Sequence, residues 1–196
     1  MGSTRDQIIE TTCMLLEAQG YHATGLNQII AESGSPKGSL YYYFPQGKEE
    51  LTAEAIARSG RIVEGNIRAG LAKIEEPAEA IASFVRTIAQ GVETSKFSVG
   101  GPLTTVALET VNSSERLNLA CREAYGWLRD AFAEKVVAGG VAPERAATLA
   151  TFIVSAIEGG IILSRTNHSG DALRQVADEL GNYLRAASKH AINDHP

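Results

Sequence analysis

Residues Thr24 to Lys48 read TGLNQIIAESGSPKGSLYYYFPQGK, and this stretch decides the fold. Leu26, Ile29 and Ile30 recur at helical spacing, and Gly34 halts that short helix in a tight Gly34-Ser35 turn. Pro36 suits the first position of a second short helix, which ends near Phe44-Pro45 because the residue before a proline disfavours helix. Ser35, Gly38 and Ser39 keep the N-terminal end of that helix slim, and Lys37 adds a positive charge there. Helix N-terminal amides also favour phosphate oxygens. Tyr41, Tyr42 and Tyr43 are consecutive, so at about 100° per residue they cannot all face a core, and at least one hydroxyl points outward. Leu40 and Phe44, one turn apart, are the expected core anchors. Such a helix end fits a DNA major groove, with tyrosine hydroxyls fixing phosphates. It equally fits a helical hairpin with a tyrosine-rich packing face. Up to Lys48 the charges are Arg5, Lys37 and Lys48 against Asp6, Glu10, Glu17 and Glu32, which is no basic patch. The residues alone leave both readings open.

Helical periodicity continues on either side. A first helix is predicted from Thr4 to Gln19, with Ile8, Ile9, Thr12, Cys13, Leu15 and Leu16 on one stripe, a Thr4–Gln7 capping box and Gly20 as its stop. Beyond Lys48 the pattern predicts helices from Lys48 to Gly70, Pro77 to Gln90, Leu103 to Val111, Ser113 or Ser114 to Ala138, from Pro143 onward, and Asp171 to Ser188. The fold class is therefore all-α, with about nine helices and no convincing strand.

With 196 residues, a monomer buries roughly 70% of its extended-chain surface and needs no disulfide or metal staple. A hydrophobic content of 44% and a charged content of 21% exclude a dominantly disordered chain. Cys13 and Cys121 lie far apart inside apolar helical patterns, as small core hydrophobes, and a reducing cytoplasm is the expected location. The start MGSTRD lacks the apolar run of a secretory leader. A net charge of −5 gives no general attraction to polyanions, so any contact with nucleic acid must come from local geometry.

Enzyme chemistry has no visible foothold. His22, His168, His190 and His195 have no companions at ligating spacing, so no metal and no cofactor is expected. Gly47-Lys48-Glu49 lacks the earlier glycine and the hydroxyl of a phosphate loop, and Gly100-Gly101 is no dinucleotide fingerprint.

Ala146 to Leu163 spans 18 residues with one charge, Glu158. A helix apolar all round either spans a membrane or is buried on every side. Thr148, Thr151, Ser155 and the Gly159-Gly160 pair, with no second such segment, argue against a membrane. Burial on all sides points to a homodimer, with burial inside one chain as the alternative. The expected interface is Ile153, Ile157, Gly160 and Ile161 with Val176, Leu180, Tyr183 and Leu184 of the following helix.

The stretch from Thr24 to Lys48 resembles the helix-turn-helix of the TetR family of bacterial transcriptional regulators, through Thr24, Ile29, Gly34, Lys37, Gly38, Leu40, Tyr41 and Phe44. SGSPKGSLYYYFPQGKEEL, with GGPL at Gly100–Leu103 and ALE at Ala107–Glu109, resembles the LmrA/YxaF-like branch. The resemblance implies a DNA-binding domain over 1–47, an effector-binding and dimerisation domain over 48–190 and a flexible tail over 191–196. It implies DNA contacts at Ser35, Lys37, Gly38, Ser39, Tyr41, Tyr42 and Tyr43, flanked by Thr24, Gln28 and Lys48. Pro36, Tyr43 and the extra Gly47 depart from the family pattern. An effector cavity is implied among the middle helices, with Phe84, Ile88, Phe97, Leu103, Val106, Trp127, Phe132 and Phe152 as wall residues and ordinary core as the alternative. Few charges on these segments suit a small, largely apolar or aromatic effector. The implied protein is a homodimeric repressor that an effector releases from a palindromic operator by tilting the helix beginning at Lys48. An all-α enzyme and a purely structural helical dimer are the rival readings.

Overall fold

The computed structural model describes residues 2–98, 100 and 103–193. Among them are nine helices and no strand: α1 (Thr4–Ala23), α2 (Leu26–Ser33), α3 (Lys37–Tyr43), α4 (Lys48–Leu71), α5 (Pro77–Thr94), α6 (Thr104–Thr110), α7 (Glu115–Ala138), α8 (Pro143–Asn167) and α9 (Asp171–Asn193). Two compact units form. One holds the described residues of Met1–Ile62 and Gly101–Gly126, the other those of Val63–Gly100 and Trp127–Pro196. Packing thus groups α6 and the first half of α7 with α1–α3 and the first part of α4. Of the tail expected over 191–196, α9 takes in the residues up to Asn193, and 194–196 lie outside the described residues.

In the first unit, the α1 cap lies one residue earlier than the sequence suggests. Ser3 holds extended backbone and accepts from the Asp6 amide at 3.2 Å, while the Asp6 carboxylate accepts from the Ser3 amide at 3.2 Å. Asp6 also puts negative charge at the positive end of the helix, which Gln7 would not. At Gly20 (φ 79°, ψ −177°) α1 does not stop but kinks, and one more turn carries it to Ala23. That backbone is one only glycine adopts cheaply. Gly34 (φ 64°, ψ 13°) closes α2 in the left-handed conformation. Pro36 then sits at the cap of α3 and not inside it. Helices of eight and seven residues are marginal alone. Ile8, Ile29, Leu40 and Phe44 are each fully buried and hold them, at about 1.5–3 kcal/mol per side chain. After Phe44 the chain turns through Gly47 (φ 77°), whose amide donates to the Phe44 carbonyl at 2.9 Å. Gly47, one of the three departures from the family pattern, is therefore the residue that makes this turn. Ser114 caps α7, its hydroxyl accepting from the Leu117 amide at 3.2 Å.

In the second unit, α5, α8 and α9 pack together. The Glu76 carboxylate caps α5 by accepting from the Ala78 and Glu79 amides. The helix continues to Thr94, one turn beyond the expected Gln90. Gly160 lets α8 and α9 approach closely: a Cβ there would lie 2.9 Å from Leu173 Cδ2. The buried Ser164 hydroxyl accepts from the Leu173 amide at 3.3 Å. Glu93 joins α5 to α9, accepting from Arg174 Nη2 and from the Gly170 amide at 3.0 Å. α8 is long and apolar enough to cross a bilayer by length and composition, yet its inner side is packed on α5 and α9.

Candidate nucleic-acid interface

Around α3, positions i, i+1, i+4 and i+5 fall on one side of a helix. Lys37, Gly38, Tyr41 and Tyr42 occupy them, and all four are exposed, Tyr41 at 46% and Tyr42 at 79%. Leu40 on the opposite side is fully buried. Between these arcs Ser39 and Tyr43 are half-buried, and the Tyr43 ring meets Tyr42 and Phe44 edge-on at 5.1 and 6.5 Å between centroids. The outcome is a narrow face bearing one ammonium and two phenol hydroxyls, with open space over the Gly38 Cα where a Cβ would stand. A backbone without a side chain at that point can come close to a groove wall.

The other expected contacts are placed differently. Ser35 is only 6% exposed, and no group among the described residues pairs with its hydroxyl, at a cost of about 1–3 kcal/mol. Thr24 is buried, and its hydroxyl donates to the Gly20 carbonyl at 2.7 Å, closing the α1 kink. Gln28 exchanges amide hydrogen bonds with Gln19 and donates to Glu32 at 2.9 Å. Lys48 Nζ donates to the Tyr21 carbonyl at 2.6 Å and lies 4.0 Å from the Tyr21 ring centroid. Burial pushes the Lys48 ammonium below its ordinary pKa, with the Glu109 charge opposing. Three of the ten residues, Thr24, Gln28 and Lys48, are thus engaged inside the unit, while the exposed side of α3 gathers the others around it.

Sequence reasoning missed Glu109 as part of this unit. Its carboxylate accepts from the His22 amide at 2.9 Å, and its own carbonyl lies 3.3 Å from His22 Nε2. The only sequence signal was the ALE run at Ala107–Glu109, and nothing in it names a partner 87 residues away.

Of the expected effector-wall residues, Leu103 and Val106 are buried in the first unit. In the second, Phe84 and Phe132 meet edge-to-face at 6.0 Å, with Phe84 pressed against Gly70, and Ile88 and Trp127 are half-buried. Phe97 has positive φ (63°) and packs instead on the His168 ring at 5.3 Å. Phe152 lies on the outer side of α8, 48% exposed, beside Tyr183 at 5.5 Å. An open groove of about 240 Å³ between Arg68, Leu71, Ala72, Ala131, Glu134 and Lys135 includes none of the eight. Parts of the GGPL segment, Gly101 and Pro102, lie outside the described residues.

Of the expected interface residues, Ile153, Ile157, Gly160, Ile161, Leu180 and Leu184 are buried inside their own unit, Val176 is half-buried and Tyr183 is exposed. The apolar side chains α8 leaves uncovered are Phe152, Ile162 at 50% and Leu163 at 55%. An all-apolar helix signals that it will be covered, not which side its own chain takes.

Residues 8–55 match the family described as bacterial regulatory proteins, tetR family, and residues 77–179 match that of the transcriptional regulator LmrA/YxaF-like C-terminal domain. The chain is 42% identical over 179 residues to the HTH-type transcriptional regulator YxaF of Bacillus subtilis (strain 168), covering 91% of this chain and 94% of that one. It is 36% identical over 184 residues to the HTH-type transcriptional regulator LmrA of the same organism, covering 94% and 98%. Its fold is similar to a TetR transcriptional regulator from Legionella pneumophila, with a TM-score of 0.79 at 20% identity over 93% of this chain and 98% of that one.

Proposed function

Because this chain belongs to the TetR family of bacterial transcriptional regulators, in its LmrA/YxaF-like branch, we propose that it is a homodimeric repressor that a small, largely apolar or aromatic effector releases from a palindromic operator. Its relatives are transcriptional regulators and not enzymes. The observation that carries the DNA-reading part is the exposed α3 face of Lys37, Gly38, Tyr41 and Tyr42. In the proposed complex the Tyr41 and Tyr42 hydroxyls and the Lys37 ammonium hold phosphates, and Gly38 brings the helix backbone against the groove. Ser35, Ser39 and Tyr43 line the edges of that contact. The buried Ser35 hydroxyl, without a partner among the described residues, would meet the DNA only if the turn before α3 shifts on binding. Thr24, Gln28 and Lys48 act from behind, by fixing the end of α1.

Two copies reading a palindrome place their α3 helices about 34–36 Å apart, in successive major grooves. The exposed Phe152, Ile162, Leu163 and Tyr183 supply apolar surface for pairing. For an aromatic effector the proposed wall is the edge-to-face Phe84–Phe132 pair, with the half-buried Ile88 and Trp127 as further candidates. To act, the effector must prefer the state that cannot bind DNA, and a hundredfold preference is about 2.7 kcal/mol of coupling. Such a regulator works in the cytoplasm.

Fluorescence anisotropy with the intergenic duplex beside its own gene, against a scrambled duplex and at several salt concentrations, tests the reading. Selective binding that weakens with salt is expected. Equal affinity for both duplexes, followed by failure to enrich any site from a random pool, overturns it.

A further inference from the structure

We infer that Glu109 is a positioning residue for DNA binding: from α6, it splints the α1 kink at Gly20 and so sets where the α2–α3 reading head begins. The inference rests on the DNA-binding reading above. A kink in a helix strands backbone groups that the next turn would otherwise pair. Here one such group, the His22 amide, and the neighbouring Tyr21 carbonyl, which also accepts from the Thr24 amide at 3.2 Å, are met from two other helices. The Glu109 carboxylate of α6 takes the His22 amide at 2.9 Å, and Lys48 Nζ at the start of α4 donates to the Tyr21 carbonyl at 2.6 Å. Thr24 closes a third group, the Gly20 carbonyl, at 2.7 Å. Between kink and reading head there is only one turn of helix and the pair Thr24-Gly25, so the angle at Gly20 is carried straight into α2.

Gly20 is matched to this arrangement. A Cβ there would stand 2.3 Å from Glu109 Oε1 and 2.9 Å from Thr105 Cγ2, so the carboxylate occupies the space a side chain would take. In chain order α6 follows α5, a helix of the other unit. Glu109 is thus the point at which a displacement of α6 is delivered to the backbone of α1. The bond is charge-assisted, with a carboxylate as acceptor, and Lys48 lies close enough for Glu109 to oppose the fall in its pKa.

Full-length protein, its Glu109→Ala and Glu109→Gln variants, and a duplex enriched by the wild-type protein from a random pool test the inference. Glu109→Ala is expected to speed hydrogen exchange at the His22 amide and to raise Kd for the duplex about tenfold, the scale of one charge-assisted hydrogen bond, with little change in Tm. Glu109→Gln keeps an acceptor oxygen and is expected to stay within about twofold of wild type. A merely structural role would lower Tm and leave the Kd of the folded fraction alone. Wild-type Kd in Glu109→Ala, or unchanged exchange at His22, overturns the inference while DNA binding stands. If the wild-type protein enriches no duplex, the DNA-binding reading fails first and this inference falls with it.

Discussion

On α3, Tyr41 and Tyr42 expose rings that end in hydroxyls, beside the ammonium of Lys37. On α8, Phe152, Ile162 and Leu163 expose side chains with no polar atom. The contrast separates two kinds of unfinished surface. A phenol in water keeps its hydroxyl hydrated, so the α3 face is tolerable bare and can be covered and uncovered as salt and ligand dictate. Bare aliphatic surface costs about 25 cal/mol per Å², so the α8 face gains from a lasting cover. The two faces also stand on different foundations. α3 has seven residues and depends on Leu40 and Phe44 beneath it, whereas α8 has 25 residues and is anchored along its inner side.

The hardest blow to this comparison goes beneath α3. Phe44→Ala is expected to cost about 3–5 kcal/mol in chemical denaturation, because a fully buried ring leaves a cavity, and to abolish DNA binding with it. A smaller loss would mean that α3 does not depend on this anchor. The α8 face is challenged by Leu163→Glu, which leaves the inner packing alone but would bury a charge in any pairing surface. Self-association measured by sedimentation equilibrium should weaken by roughly 3 kcal/mol while circular dichroism stays unchanged. Undiminished pairing would remove the α8 face from the interface.

The same contrast explains what the sequence could and could not tell. Three consecutive tyrosines above a Leu40–Phe44 spacing can be solved by rotation alone, so the inward and outward sides of α3 were legible. In the middle of α8 apolar residues fall all round the helix, so no side is clearly favoured, and Phe152 and Ile153 differ only by a rotation that packing on α5 and α9 decides. The α1 cap shows a finer version: Ser3 and Thr4 are both capping residues by type, and the backbone uses the one that pairs with Asp6. Glu109 illustrates the remaining gap, since a hydrogen bond spanning 87 residues leaves no periodic trace.

Smaller changes sharpen the α3 side. Tyr42→Ala removes a ring that is 79% exposed and should leave stability within about 0.5 kcal/mol. The same change should weaken binding to a selected duplex by about 1 kcal/mol, through the lost hydroxyl–phosphate bond. Lys37→Ala should weaken all duplexes alike and lower the salt slope by about one, because a single phosphate contact is lost. A variant that instead alters sequence preference would show the residue reading base edges, and the division of labour on α3 would be redrawn.

The smallest expected effect compares one carboxyl from each unit. Hydrogen bonds from Arg174, then from the Gly170 amide, hold Glu93 below its ordinary 4.5, and those from Ser3, then Arg58, hold Asp6 below 3.8. A carboxyl whose pKa is lower in the folded state contributes stability above its unfolded value and loses that contribution as pH falls through the folded one. Both groups therefore act in the same direction, in the acid range below about 4.5, and both side chains keep about a third or more of their surface in water, so each contribution is modest. Glu93→Gln should lower Tm slightly at pH 7, and the gap from wild type should close as both are acidified. Asp6→Asn should behave alike, but with the change read most clearly in hydrogen exchange along the first turn of α1. A gap that persists unchanged at low pH would mean that the hydrogen-bond geometry, which an amide partly keeps, carries the contribution and the charge does not. Salt separates the same two causes independently, since it screens the Arg174–Glu93 attraction but leaves the Gly170 amide bond in place.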